Sequence, residues 1–171
     1  MSRFKNLQKQ LGFFTAVSFY RKLKSGNLSN LRTGNLVHQF NLRNNPFDYA
    51  TFEEVILNEA YNIPFGFEPK FIIDGGGNIG LTACFFASKF PAAAIITIEP
   101  DTDNYNLLQL NCKAYANIQT LQCGIWKNDT HLKIENTHAG NNAFTVIETK
   151  EAGADTIKAL TVLSVMRSEE R

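Results

Sequence analysis

The amino-acid sequence predicts an α/β fold in which helices cover both faces of a doubly wound parallel sheet. Short apolar runs at residues 71–73, 94–98 and 118–123 have the length of buried strands. Two longer segments at 79–90 and 103–115 lie between them and have the length and pattern of helices. Strands that are apolar throughout and joined by helices are typical of parallel sheets buried on both faces.

Chain length and composition agree with one globular domain. The chain has 171 residues, of which 44% are hydrophobic and 19% charged, which is enough apolar surface to offset the ordering entropy of one core. Disordered and low-complexity classes are thereby excluded. Because βαβ crossovers are right-handed, the three apolar runs are expected in the order 3-2-1, the first half of a doubly wound sheet.

Charge divides the chain into two predicted parts. Residues 1–47 contain eight Lys and Arg and no acidic residue, whereas residues 48–171 contain nine Lys and Arg against sixteen acids. Apolar side chains at helical spacing over residues 4–17 predict a basic amphipathic helix. Residues 1–68 are interpreted as a basic N-terminal helical extension and lead-in, and residues 69–171 as the α/β domain.

The basic helix has two interpretations. In the first it packs on the domain with its charges in water, which is the ordinary pattern of a surface helix. In the second it makes a weak contact with a membrane surface or an anionic substrate. In either case the turn residues Ser25, Gly26 and Asn27 end the helical pattern.

A short strand and a helix are predicted before the first core strand. Residues 37–42 alternate loosely and predict the strand, which ends at the turn residues 44–46. Thr51 and Glu54 have the spacing of a capping box, so the helix is expected over residues 51–59.

The pattern weakens after Trp126. Residues 132–134 and 144–147 predict the two strands of a hairpin, and residues 157–160 predict another short strand. Thr161 is expected to cap a final helix.

The first core strand leads into a cluster of glycines and then into a helix. Glycine lets the backbone turn sharply and approach a ligand, and free N–H groups at a helix start attract electron-rich groups. The candidate cofactor-binding residues of this turn are Asp74, Gly75, Gly76, Gly77, Asn78 and Gly80. Nineteen residues after Gly80, Glu99 ends the second strand, where a carboxylate can accept hydrogen bonds from the ribose hydroxyls of an adenosine.

Two nucleoside cofactors fit this pattern. Gly75, Gly77 and Gly80 satisfy the G-x-G-x-x-G fingerprint of nicotinamide dinucleotides. Asp74, however, directs a carboxylate toward the pyrophosphate of such a dinucleotide. S-adenosylmethionine carries a sulfonium and an ammonium group and no phosphate, so the charge of Asp74 favours it. An NAD-dependent oxidoreductase is the less favoured alternative.

Motifs along the chain combine into one pattern. They are residues 72–82, 98–101, 117–118 and 124–126, preceded upstream by residues 42–43, 48–52 and 59–61. Across roughly residues 36–165 this pattern resembles the FkbM-type S-adenosylmethionine-dependent methyltransferases. The resemblance implies a Rossmann-like methyltransferase fold, with S-adenosylmethionine as cofactor and O-methylation of a hydroxyl on a glycan or small metabolite as the reaction.

Carried over position by position, the resemblance implies that the turn from Asp74 to Gly80 holds the methionine portion of the cofactor and that Glu99 holds the ribose. It assigns no catalytic residue. His131 and His138 lie seven residues apart with no third ligand at metal spacing, so no metal site is predicted.

The C-terminus departs from the family pattern. The family continues into a fourth strand and an Asp-Ile-Glu-Gly-like motif, which the sequence after residue 162 lacks. The fold is therefore expected to be incomplete there, leaving the strand at 71–73 with an unpaired edge. We expect marginal stability or self-association and little turnover. A non-catalytic cofactor-binding fragment of a split or truncated methyltransferase is the alternative function.

Compartment and partners follow from a few further features. Cys84, Cys112 and Cys123 form no C-x-x-C pair and favour a reduced cytoplasmic protein. The apolar stretch 11–20 is too short to span a bilayer, and no signal-peptide cleavage site follows it. The predicted partner is a small-molecule or glycan acceptor, and no nucleic-acid partner is predicted.

Overall fold

The computed structural model describes residues 3–134, 146–149, 151–153 and 155–167. The helices are α1 (Arg3–Leu11), α2 (Phe13–Ser25), α3 (Pro46–Phe52), which continues into a π-helical turn (Glu53–Leu57), α4 (Leu81–Lys89), α5 (Thr102–Cys112) and α6 (Val162–Arg167). The strands are β1 (Phe71–Gly75), β2 (Ala94–Ile98), β3 (Ile118–Leu121), β4 (Gly124–Ile125), β5 (Thr130–Ile134), β6 (Val146–Thr149) and β7 (Thr156–Leu160).

The first sheet is parallel and has the strand order β1-β2-β3, which confirms the predicted 3-2-1 arrangement. β2 lies in the centre, and its side chains alternate between two cores. Ile95 packs in the larger apolar cluster, whereas Ile96 and Ile98 pack with Val165 of α6 in a smaller one. The sheet is therefore covered on both faces, as its continuous apolar strands predict. Within the described residues, β1 pairs with β2 alone and forms the edge.

A second sheet follows, with the order β4-β7-β5-β6. β5 and β6 form the predicted antiparallel hairpin, and β7 pairs antiparallel with β5. The predicted strand 118–123 is too long, because β3 ends at Leu121 and β4 pairs with β7 of the second sheet. Residues 144 and 145 of the predicted strand 144–147 lie outside the described residues. Thr161 caps α6 as predicted, since its Oγ1 accepts from the backbone N–H of Ser164 at 3.1 Å.

The basic N-terminal segment forms two helices rather than the single helix predicted. Gly12 has a φ of +77° and a ψ of 165°, an extended conformation of positive φ that is open essentially to glycine and that interrupts the helical path between α1 and α2. Gly26 ends α2 in the left-handed conformation, and its N–H donates to the carbonyl of Leu23. The predicted end of the helical segment is therefore confirmed.

Two predictions for the lead-in are wrong. Residues 37–42 form no strand, and Phe40 makes an isolated antiparallel bridge to Leu31. α3 begins at Pro46 rather than near residue 51, because Asn45 acts as its N-cap and accepts from the N–H of Asp48 at 2.8 Å. The residues predicted as a turn therefore start the helix, with proline in its first turn, where the missing N–H costs nothing.

One hydrophobic core extends across the predicted boundary between residues 68 and 69. The ring of Phe52 stacks on Phe19 of α2 and on Phe40, with centroid distances of 4.6 and 5.7 Å. The same cluster contains Leu81 of α4 and Ile95 of β2. The N-terminal helices thus contribute to the core of the α/β unit, and the boundary itself stays a prediction.

Candidate cofactor site

The glycine turn follows β1 and leads into α4. Gly76, Asn78 and Gly80 have φ values of +81°, +49° and +84°, which lie in the left-handed region that glycine adopts without steric cost and asparagine tolerates. This sequence of left-handed residues reverses the chain within five positions and brings it back along the end of β2. The local cause is the composition of the turn, which contains four glycines and one asparagine between residues 75 and 80.

The backbone N–H groups of the turn are bonded inside the protein. Those of Gly76 and Gly77 both donate to the carbonyl of Ile98, at 2.9 and 2.8 Å. That of Asn78 donates to Oε2 of Glu99 at 2.8 Å. These three positions precede the helix, so their bonds do not contradict the prediction of free N–H groups at the start of α4. A phosphate group placed against them would find its donors already engaged.

Gly77 is required by packing. A Cβ atom at this position would overlap the hydroxyl of Thr97 and would lie 2.9 Å from Cδ1 of Leu108. Gly75 is less constrained, because its Cβ would meet only the end of the Ile125 side chain, at 2.7 Å. Gly76 faces open space. Of these three glycines, Gly76 alone leaves room for a ligand beside its Cα.

Asp74 lies on β1 directly opposite Thr97 of β2. Its Oδ2 accepts from the Thr97 hydroxyl at 2.9 Å, and Oδ1 accepts no hydrogen bond from the described residues. Burial raises the pKa of this carboxyl above 3.8, and the bond from Thr97 offsets part of that effect. The site therefore holds a partly buried carboxylate with a free acceptor oxygen, which a cationic group would stabilise.

Glu99 is turned inward against the glycine turn. Its exposed fraction is 6%, and besides the bond from Asn78 its Oε1 accepts from the N–H of Asp101 at 3.0 Å. Burial raises its pKa, while these two backbone N–H groups lower it. The carboxylate thus holds the turn to the end of β2. The side chain of Asn104 is a third partner, and because a carboxylate can accept about four hydrogen bonds, one from a ligand hydroxyl can still be added.

Two residues that support the turn, Asn111 and Thr51, do not belong to the predicted site. Nδ2 of Asn111 donates to the carbonyls of Ile79 and Asn41, at 2.8 and 3.1 Å. Nδ2 of Asn78 donates to the hydroxyl of Thr51 on α3 at 3.2 Å. The sequence contains a pattern from which Asn111 could have been found. Asn111 follows Asn104 by seven residues, which places both on one face of α5, and both are buried. Buried asparagines on an amphipathic helix indicate polar partners inside the protein.

The histidines and the tryptophan that the sequence also offers as functional residues lie away from the turn. His131 is on β5 opposite Lys158, and His38 is an exposed residue whose ring contacts Tyr115 edge-on at 4.7 Å. Nε1 of Trp126 donates to Glu148 at 3.2 Å. His138 lies outside the described residues. In the part of the chain that the structure describes, no group of three or more His, Cys, Asp or Glu is placed to hold a metal ion.

The raised pKa of Asp74 makes a prediction for stability. A folded-state pKa above the unfolded value means that its stabilising contribution is full below about pH 3.8 and falls as the pH rises through the folded value. As the pH rises above about 3.8, the wild type should therefore lose more free energy of unfolding than Asp74→Asn, which keeps an acceptor but no charge. Urea unfolding at several pH values measures this difference. Parallel curves for the two proteins would contradict the prediction.

Sequence comparisons bear on the kind of protein that carries this site. No protein-family model matches the chain. "Methyltransferase 1" of Beauveria bassiana (strain ARSEF 2860) is 29% identical over 85 residues, which cover 48% of this chain and 34% of that protein. "Methyltransferase sdnD" of Sordaria araneosa is 32% identical over 77 residues, which cover 43% and 30%. The matched stretches thus span about a third of these relatives.

A structural comparison finds the crystal structure of methyltransferase FkbM from Methylobacillus flagellatus KT, with a TM-score of 0.44 and 15% identity over 95% of this chain and 37% of that one. The two curated relatives share the general description of methyltransferase. Over nearly half of its length the chain is therefore similar in sequence to methyltransferases, as its motifs predict.

Proposed function

We propose that this chain binds S-adenosylmethionine at the glycine turn and serves the transfer of its methyl group to a hydroxyl of a glycan or small metabolite. Two independent observations support the proposal. The matched relatives are described as methyltransferases, and the turn places a partly buried carboxylate, Asp74, where a cationic ligand would be stabilised.

The observation that carries the choice of cofactor is the use of the backbone donors. Dinucleotide sites bind pyrophosphate at the N-terminus of the helix that follows the glycine turn, where glycines let the backbone approach the phosphates. Here the N–H groups of Gly76, Gly77 and Asn78 are bonded to Ile98 and Glu99, and two carboxylates face the turn. The turn before α4 therefore offers few free donors to a phosphate, and its two carboxylates suit a sulfonium or ammonium group.

Each site residue has a separate task in the proposed reaction. When bound, S-adenosylmethionine supplies an electrophilic methyl group on sulfur that an acceptor oxygen attacks in line. Asp74 would bind a positive charge of the cofactor, and Glu99 would accept from its ribose. Asn78, tied to Thr51 of α3, would keep the turn in position, because in-line transfer depends on fixed alignment.

Isothermal titration with two ligands tests the choice of cofactor. We expect S-adenosylmethionine to bind and reduced nicotinamide dinucleotide not to bind at micromolar concentration. Binding of the dinucleotide alone would reject the proposal in favour of an oxidoreductase. Binding of S-adenosylmethionine without turnover on any hydroxyl acceptor would favour the alternative of a non-catalytic cofactor-binding fragment.

Replacing Glu99 with alanine tests the ribose contact. We expect S-adenosylmethionine affinity to fall by about 1–3 kcal/mol, because charged hydrogen bonds to the ribose are lost. The substitution also removes the acceptor for Asn78 and Asp101, so affinity alone does not separate the two roles of this carboxylate.

A ligand without ribose hydroxyls provides the control. If Glu99 binds the ribose, a 2′,3′-dideoxy analogue should bind the wild type less tightly than S-adenosylmethionine, and Glu99→Ala should bind both equally. An equal loss for the analogue in both proteins would remove Glu99 from the ribose role and leave it as a residue that positions the turn.

Cytoplasmic localisation is part of the same proposal. Cys84, Cys112 and Cys123 are buried free thiols, which agrees with a reducing compartment. Among the described residues no helix is long and apolar enough to cross a membrane.

A further inference from the structure

Two adjacent phenylalanines at the start of α2 are exposed to solvent. The exposed fractions are 86% for Phe14 and 55% for Phe13, and the two rings contact each other edge-on at a centroid distance of 5.6 Å. They follow Gly12, whose positive φ turns the chain between α1 and α2. Phe14 projects on the side of α2 opposite the core side chains Ala16 and Phe19, and Phe13 lies at the border of that buried side.

Basic side chains share the outer side of this helix. Arg21 follows Phe14 by seven residues and Lys24 follows Phe13 by eleven, so each cation lies on the same helix face as one of the rings. Phe14 and Lys22 also line one surface depression together with Arg32. The α2 outer face is defined by Phe13, Phe14, Ser18, Arg21, Lys22 and Lys24.

The chain segment that carries the α2 outer face is basic. Residues 1–47 contain eight Lys and Arg and no acidic residue. Nζ of Lys22 donates to the carbonyls of Ser29 and Asn30, at 2.6 and 3.0 Å, which keeps this charge in place. Packing on the domain explains the buried side of α2 and leaves the combination of exposed aromatic rings and cations unexplained.

We propose that the α2 outer face docks on the surface of an anionic lipid bilayer. Phe13 and Phe14 enter the interfacial region, and the exposed Arg21 and Lys24 contact lipid phosphates. Lys22, which is held by two backbone carbonyls, adds its positive charge to the same face. A bilayer supplies both chemistries that this face presents, since it offers negative headgroups above an apolar layer. This surface is separate from the glycine turn, so the inference does not depend on the proposed cofactor.

A single-stranded nucleic acid is less well matched by the same face. Base stacking uses aromatic platforms on which successive bases lie. The planes of Phe13 and Phe14 meet at 77°, so the two rings do not present parallel faces to neighbouring bases. Nucleic-acid binding is therefore an outcome of the test and not part of the proposal.

The structure decides which variants can test the proposal. Deleting residues 1–24 would remove Leu7, Ala16 and Phe19, all buried in the core, and would destabilise the fold. The double substitution Phe13→Ser/Phe14→Ser changes exposed side chains only. Phe67→Ser is the matched control, because Phe67 is 70% exposed on the loop before β1.

Sedimentation with vesicles provides the measurement. The 171-residue chain should bind phosphatidylcholine vesicles that contain phosphatidylglycerol and should not bind vesicles of phosphatidylcholine alone. Affinity should fall about tenfold or more between low and high salt, because the cations are screened. Phe13→Ser/Phe14→Ser should lower affinity by about tenfold, and Phe67→Ser should leave it unchanged. Circular dichroism melting should show all variants folded.

Several outcomes would overturn the inference. Absence of binding to anionic vesicles at low salt would reject it, as would equal binding to the two kinds of vesicle. Equal affinities of Phe13→Ser/Phe14→Ser and the wild type would show that the two rings do not contact the bilayer. Binding to an oligonucleotide without binding to vesicles would assign the face to nucleic acid instead.

Discussion

Replacing Gly77 with valine is expected to abolish cofactor binding and to lower the free energy of unfolding by about 3 kcal/mol. A Cβ there would overlap the hydroxyl of Thr97 and lie 2.9 Å from Cδ1 of Leu108. Thr97 is fully buried and bonded to Asp74, so it cannot move aside without breaking that bond. The added side chain would therefore push the turn away from both β2 and α5.

Two other glycines serve as controls for this variant. Gly66→Val adds the same side chain where no atom lies within 4 Å and the φ is not left-handed, so its stability should match that of the wild type. Gly75→Val meets only the end of Ile125 and should lose less stability than Gly77→Val. Urea unfolding and titration with S-adenosylmethionine measure both effects. If Gly77→Val is as stable as Gly66→Val, the packing argument is wrong.

Replacing Asp48 with alanine is expected to lower the free energy of unfolding by about 3–5 kcal/mol. Its carboxylate is 2% exposed and accepts from Nη2 of Arg43 at 2.7 Å, from the backbone N–H of Arg43 at 2.8 Å and from Nδ2 of Asn45 at 3.2 Å. Without the Asp48 carboxylate, the partly buried guanidinium of Arg43 would still donate to Oδ1 of Asn104, at 2.7 Å. A neutral amide oxygen does not replace a paired carboxylate.

A charge control and a double substitution separate the causes of this loss. Asp103 lies in the first turn of α5 and is exposed, so Asp103→Ala should change stability by less than about 1 kcal/mol. Arg43→Met/Asp48→Ala removes both charges and should recover part of the stability that Asp48→Ala loses. Thermal or urea unfolding of the wild type and the three variants measures these differences in stability. A loss below 1 kcal/mol for Asp48→Ala would show that the pair does not hold the lead-in to α5.

Local sequence patterns were sufficient for the central part of the fold. β2 has the predicted bounds, and β1, α4 and α5 lie within a few residues of theirs. Apolar runs and helical periodicity are properties of neighbouring residues, so they can be recognised without the tertiary structure. The handedness of βαβ crossovers then leaves one strand order. The site residues from Asp74 to Gly80, and Glu99, follow from the same unit because the ends of adjacent parallel strands meet.

The lead-in shows where local patterns are ambiguous. The residues Asn44, Asn45 and Pro46 suit a turn and a helix start equally well. The side chain of Asp48 bonds to Arg43, and the ring of Phe52 stacks in the core, so these contacts stabilise the helix that begins at Pro46. Similarly, β4 leaves the first sheet because β7 is available to pair with it. These partners are distant in sequence, and no local pattern encodes them.

The sequence by itself determined that a glycine turn with two carboxylates lies at the ends of β1 and β2. Only the tertiary structure decided what the polar groups do there. The N–H groups of Gly76 and Gly77 donate to Ile98, and Glu99 accepts from Asn78. The exposure of Phe13 and Phe14 could likewise not be predicted from the sequence, because helical periodicity assigns apolar side chains to the buried face. Hydrogen-bond partners and exposure depend on which segments meet in space, and residue type and spacing do not specify that.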